Sequence, residues 1–208
     1  MSPYDGCQGH VYGERDQVTG RLTLIAHAPT EAQRHSAFPF DEPVEERELE
    51  RAAALDWKAP RAQRVFSAPE LRTQQTAQAL GLSASNSVEL CDCDYGVWRG
   101  RKIDEVEAED PEGVLAWLTD PSSSPHGGES VESLIARTGR WIEEQCNVAH
   151  TLAVTHPAVI RGAIVYVLGI PALTFWRFDV RPLSLTDLRF NGRVRTVRCA
   201  SCPLGIQD

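Results

Sequence analysis

Short apolar runs alternate along the chain with longer stretches in which apolar residues recur at spacings of three and four. Residues 22–25 (LTLI), 65–66 and 152–154 read as strands, as do 184–190 and 194–197, a late pair joined by the turn signal Asn191-Gly192. Residues 45–55, 70–80, 129–146 and 158–168 read as helices. The third of these carries Val131, Leu134, Ile135, Thr138, Trp141 and Ile142 on one stripe, a face that belongs against a sheet. Pro, Ser and Gly cluster at 39–43 and 120–128, which read as loops. Strands alternating with helices predict an α/β fold with a mostly parallel sheet.

The 208 residues, 42% hydrophobic and 24% charged, suit one domain with a real core. Neither a repeat nor a clear internal boundary interrupts them. With 29 acidic against 21 basic residues the net charge is −8, which argues against nucleic acid or an anionic membrane as partner while leaving room for a small anion in a locally basic pocket. No run approaches the roughly 18 apolar residues of a membrane span, and the polar first 20 residues lack the apolar stretch of a signal peptide. A cytoplasmic location is the expectation. Cys7, Cys91, Cys93, Cys146, Cys199 and Cys202 are too sparse for a disulfide scaffold, and their spacing lacks the paired CxxC pattern of a zinc site, so neither a metal nor another cofactor is expected.

Chemistry-bearing residues fall at the predicted strand ends. His27 follows the first strand, Ser67 and Arg72 the second, and His156 the strand at 152–154. In parallel sheets these carboxyl ends, together with helix N-termini, form the ligand site. A single strand-end histidine is ordinarily a packed or solvated residue. Two of them with an arginine make a constellation suited to an anion.

Around these residues the sequence resembles the histidine phosphatase superfamily, the phosphoglycerate mutase-like proteins. The resemblance runs through Ala26-His27-Ala28-Pro29-Thr30, Asp41-Glu42-Pro43-Val44, Ser67-Ala68-Pro69-Glu70-Leu71-Arg72-Thr73-Gln74-Gln75-Thr76-Ala77, Asp92 to Gly100 with its Gly96-x-Trp98-x-Gly100, Gly127-Gly128-Glu129-Ser130, and Thr155-His156 to Arg161, in the family's order. It implies a three-layer sandwich over residues 1–208, with 1–20 as a polar extension and about 100–128 as a cap. It also implies a phosphohydrolase acting on a small phosphorylated metabolite. His27 would be the nucleophile that becomes a phosphohistidine, Arg72 and His156 would hold the phosphoryl oxygens, and Asp92, ahead of its competitor Asp94, would pass protons. Thr30, Gln33 and Ser67 would add further phosphate contacts.

The family's arginine before the nucleophile is here Ala26, and the glycine after it is Ala28. Arg34 is the first candidate to restore the lost charge, with Arg61 and His35 behind it. The alternative to a phosphatase is the same fold repurposed: His27 and His156 acting as acid and base, or holding a metal, on a substrate without a transferable phosphate, or a non-catalytic protein that binds a phosphorylated ligand or a protein partner. Glu105, Glu107, Glu109, Asp110 and Glu112 in the cap would repel polyanions if they faced the site. Trp98, Trp117 and His126 could stack on a substrate ring or pack internally, and residues 175–178 read equally as core or as the surface of a homodimer.

Overall fold

The computed structural model describes residues 19–192 and 194–205. Six strands form one sheet in the order β3-β2-β4-β1-β5-β6. They are β1 (Gly20–Ala26), β2 (Arg64–Ser67), β3 (Ser85–Asn86), β4 (Thr151–Thr155), β5 (Ser184–Phe190) and β6 (Arg195–Pro203). The first four run parallel and the last two are antiparallel additions. Helices α1 (Glu31–Arg34), α2 (Glu46–Ala53), α3 (Leu71–Ala79), α4 (Ile103–Glu109), α5 (Pro111–Thr119), α6 (Val131–Gln145) and α7 (Pro157–Leu168) complete the chain. None of the described helices is long and apolar enough to cross a membrane.

Alternation along the strands creates two cores. Leu22, Leu24 and Ala26 of β1 join Ala153, Leu188 and Phe190 beneath Leu134, Ile142, Ile160 and Ile164 of α6 and α7. Ile25 faces the other way, with Leu152, Val154 and the α2 and α3 residues Ala52 and Ala77. Successive side chains of a strand point to opposite faces, so β1 and β4, buried at all but one of their positions, need cover on both sides. The expected three-layer α/β sandwich follows.

All four helices and all five strands read from the sequence are present, with ends shifted by a few residues. Missing from that reading were α1, α4, α5 and the two-residue β3. Two of these build the cap: Val106 of α4 with Val114 and Trp117 of α5 pack around Phe38 and Trp98, a small aromatic core of their own. The rings of Phe38 and Trp98 lie 5.1 Å apart, and those of Trp98 and Trp117 5.7 Å. These tryptophans are buried, so they pack rather than stack on a ligand. The same holds for Phe175, fully buried, and for Trp176, whose ring sits 4.5 Å from that of Trp117. The core reading of residues 175–178 therefore applies to this pair.

Two glycine motifs lock one loop onto another. Val97 N–H donates to the His126 carbonyl at 3.0 Å and Glu129 N–H to the Asp94 carbonyl at 2.8 Å, drawing residues 94–97 against 126–129. A Cβ on Gly96, whose φ is +46°, would collide with the His126 carbonyl, and one on Gly128 with the Asp94 carbonyl. Gly127 has φ of +72° but open space around its missing Cβ. Gly127→Ala should cost about 1 kcal/mol of left-handed strain, whereas Gly128→Ala, which must push backbone aside, should cost about 2 kcal/mol or more and loosen the loop that carries Asp92. Urea titrations of the two variants check the order.

Candidate active site

Strand register places the reactive residues side by side. Ala26 on β1 pairs with Thr155 on β4, and Ser67 on β2 pairs with Val154, so the carboxyl ends of all three strands are level. His27 and His156 are the next residues after β1 and β4. The His27 amide donates to the Thr155 carbonyl at 3.0 Å, and the two imidazole rings meet edge to face at 5.2 Å.

His27 is buried, and its Nδ1 lies 2.7 Å from the Ala28 carbonyl oxygen. A carbonyl can only accept, so Nδ1 carries the proton and Nε2 of the neutral ring keeps its lone pair. Burial, reinforced by the positive charges of His156 and Arg72, pulls the His27 pKa from its usual 6.5 down to about 3. The imidazole is therefore neutral throughout the neutral range, with Nε2 unprotonated.

Four groups around it, Arg72, Asp92, Glu70 and His156, form a hydrogen-bonded chain. The Arg72 side chain is 3% exposed; one Nη donates to Asp92 Oδ2 at 2.8 Å and the other to the Phe40 carbonyl at 2.9 Å, leaving Nε buried and without a partner. Asp92 Oδ2 also lies 3.4 Å from His156 Nδ1. On its other side His156 reaches Glu70 Oε2 through Nε2 at 2.9 Å, while Glu70 Oε1 accepts the Asp92 amide at 2.9 Å. Burial alone would raise the Glu70 pKa, but the hydrogen bond and charge of His156 outweigh it and hold Glu70 at about 2. Asp92 is likewise pushed up by burial and pulled further down by His156 and Arg72, so both acids rest as carboxylates.

Two cavities meet at this chain. A chamber of about 200 Å³ is lined by His27, Thr30, Gln33, Glu42, Arg72, Asp92, Tyr95 and Arg161 among others. A cleft of about 790 Å³ lies beyond it, lined by Phe40, Glu70, Asp94, Arg99, Glu129 and Arg137, and shares Pro39, Arg72 and Asp92 with the chamber. The Thr30 hydroxyl is buried with no partner, and Gln33 Oε1 accepts the Thr30 amide at 3.3 Å.

The chamber thus gathers His27, Asp92, Arg72, Thr30 and Gln33, with His156 behind Asp92, its Nδ1 3.4 Å from Oδ2, and bonded to Glu70. Ser67 departs from expectation: its hydroxyl donates to Asn86 on β3 at 3.0 Å, tying an edge strand instead of lining either cavity. Arg34 does not restore the missing charge, because its guanidinium pairs with Glu45 at 3.3 Å and Glu48 at 2.8 Å. His35 pairs with Glu31, and Arg61 is exposed, its carbonyl accepting from or facing His150 Nδ1 at 3.0 Å. The acidic cap residues line neither cavity; Glu109 pairs with Arg101, and Asp110 caps α5 through the Gly113 amide. His126 is buried, its Nδ1 accepting the Gly128 amide at 3.0 Å, and so serves the glycine interlock. Among the described residues no group of three or more His, Cys, Asp or Glu is arranged to hold a metal, and Cys7 lies outside them. Glu70 and Arg161 escaped the sequence reading. Glu70 stands inside the motif between Ser67 and Arg72, where its charge next to an anion site was the available signal.

These ionisations set a pH dependence. Between about pH 6.5 and 3 an unfolded chain binds a proton at His27 that the folded one does not, and from about 4.5 to 2 the same is true of Glu70. Stability is complete above these windows and falls as acid is added, by about 1 kcal/mol per pH unit from His27 alone just below pH 6. His27→Gln should flatten that stretch of the curve in urea titrations between pH 7 and 4; an unchanged slope would contradict the buried neutral ring.

The comparisons with known proteins agree with this geometry. Residues 22–202 match the family described as histidine phosphatase superfamily (branch 1). The chain is 27% identical over 186 residues to phosphoserine phosphatase 1 of Hydrogenobacter thermophilus, covering 83% of this chain and 88% of that one. It is 26% identical over 201 residues to adenosylcobalamin/alpha-ribazole phosphatase of Escherichia coli, covering 90% and 99%. Of some mycobacterial relatives it spans about half the length (51%). The crystal structure of alpha-ribazole phosphatase from Shigella flexneri superimposes with a TM-score of 0.75 at 26% identity, over 90% of this chain and 100% of that one. A family match from the first strand to the last, on a fold that brings the motif residues to one point, makes this chain a member of the histidine phosphatase superfamily.

Proposed function

We propose that the protein hydrolyses phosphate monoesters of small molecules through a phosphohistidine on His27. The observation that carries this reading is the Nδ1–H donated to the Ala28 carbonyl, which leaves Nε2 as a neutral nucleophile in a chamber shared with two arginines. The phosphatase activities named for relatives covering most of this chain support it.

Each step has a group suited to it. Nε2 attacks phosphorus as the bond to the leaving oxygen breaks, and guanidinium groups stabilise the charge spread over the equatorial oxygens. Asp92 sits where chamber and cleft join, between nucleophile and leaving group. As a resting carboxylate it must first gain a proton. A bound phosphoryl dianion draws Arg72 away from it and adds negative charge nearby, and both changes raise its pKa. The leaving alkoxide then takes that proton, and the regenerated carboxylate accepts one from the water that cleaves the phosphohistidine.

The leaving group would occupy the cleft. Arg99 pairs with Asp94 at 3.0 Å and Arg137 with Glu129 at 2.8 Å, so the described cleft arginines are neutralised internally. Such walls suit a neutral or zwitterionic leaving group better than a second phosphate.

With an aryl phosphate and a panel of sugar, amino-acid and nucleoside monophosphates, purified protein should release phosphate, with bisphosphates and nucleoside triphosphates turned over least. His27→Ala should abolish turnover, and Asp92→Asn should lower kcat by about 10²–10⁴ for alkyl esters and less for an aryl phosphate, whose leaving group hardly needs the proton. Turnover that survives His27→Ala would reject the phosphohistidine route.

A further inference from the structure

Arg161 stands on α7, five residues beyond His156. Side chains of a helix lean toward its N-terminus, and here that direction leads back to the end of β4 and the His27 chamber, which Arg161 lines. Its guanidinium is anchored from behind. Nε donates to the Phe178 carbonyl at 2.8 Å, and Cζ lies 5.8 Å from the Trp176 ring and 5.9 Å from that of Phe175. Among the described residues no carboxylate forms an ion pair with it, Asp92 and Asp179 acting only at longer range, although Arg34, Arg72, Arg99 and Arg137 all have one. A half-buried cation without a counter-ion is costly to fold, and an anion arriving from solvent offsets that cost.

Three other polar atoms in the same chamber are also unsatisfied: Arg72 Nε, the Thr30 hydroxyl and Glu42 Oε1, the last on a carboxylate whose other oxygen lies 3.9 Å from an Arg72 Nη. Position 26, the place of the motif arginine, holds a fully buried methyl group. We infer that Arg161 supplies the phosphoryl-binding cation that Ala26 cannot, its free Nη groups completing with Arg72 and Thr30 a site for one tetrahedral oxyanion. The assignment rests on the phosphohydrolase reading for its catalytic meaning. As an anion site it stands on the unpaired groups alone.

Calorimetric titration of the full chain with inorganic phosphate and with orthovanadate tests it. Arg161→Met, which keeps the apolar stem, should weaken binding about tenfold or more. Arg161→Lys, which keeps the charge, should recover most of that loss, and Arg34→Gln, whose charge is spent on α2, should bind as the wild type does. A purely structural role would lower the thermal midpoint of the Met and Lys variants alike without separating their affinities. A folded Arg161→Met that binds both anions as tightly as the wild type overturns the inference. Should that variant not fold, the Nε–H resonance absent from Arg161→Lys spectra identifies Arg161 in the wild type; phosphate must shift it, and an unmoved resonance overturns the inference equally. Wild-type protein that binds phosphate through Arg161 yet releases none from any ester supports this site while refuting the phosphatase reading. Protein that binds neither anion refutes both.

Discussion

The hydrogen bond from His27 Nδ1 to the carbonyl of the next residue is the contact on which the chemistry turns. Its partner is backbone, held by the register of β1 against β4, so the fold itself fixes the tautomer. Burial then keeps the ring neutral, which a solvent-exposed histidine would achieve only above its usual pKa. A nucleophile so prepared needs neither a metal nor a separate base to remove its proton.

Around that ring, charges are matched so that they can be exchanged. Asp92 holds Arg72 and faces His156, which in turn holds Glu70, and Glu70 returns to the Asp92 backbone. The Arg72–Asp92 ion pair and the hydrogen bonds through Glu70 satisfy these groups, offsetting much of the desolvation that burying them would cost. On the proposed route, a phosphoryl group competing for Arg72 would free Asp92, the residue proposed to change protonation. Arg99 and Arg137 of the large cleft are already paired with Asp94 and Glu129.

Much of this was legible in the sequence because period and motif order survive without coordinates. β5 was read with the bounds it has, since the Asn191-Gly192 turn signal marks where it ends. α1 and α4 were not, because they are short and their charged residues dilute the apolar spacing, and α5 was passed over inside the cap although only Glu112 in it is charged. His27, Arg72, Asp92 and His156 were recognisable by motif, yet side-chain direction was not. Arg34 looked available from its position and is tied to α2, whereas Arg161 looked like a helix residue and leans back into the chamber. Ser67 shows the same limit, its hydroxyl turned toward β3 by a pairing no motif encodes.

The central claim is that His27 carries its proton on Nδ1 and presents a bare Nε2 at neutral and mildly acid pH. Nitrogen-15 NMR of histidine-labelled protein, followed from pH 8 to 5 and assigned with His27→Gln, reads both ring nitrogens directly. The account predicts one ring with a protonated Nδ1 and an unprotonated Nε2 whose shifts stay constant across that range. A His27 ring that titrates near pH 6.5, or that carries its proton on Nε2, would contradict it.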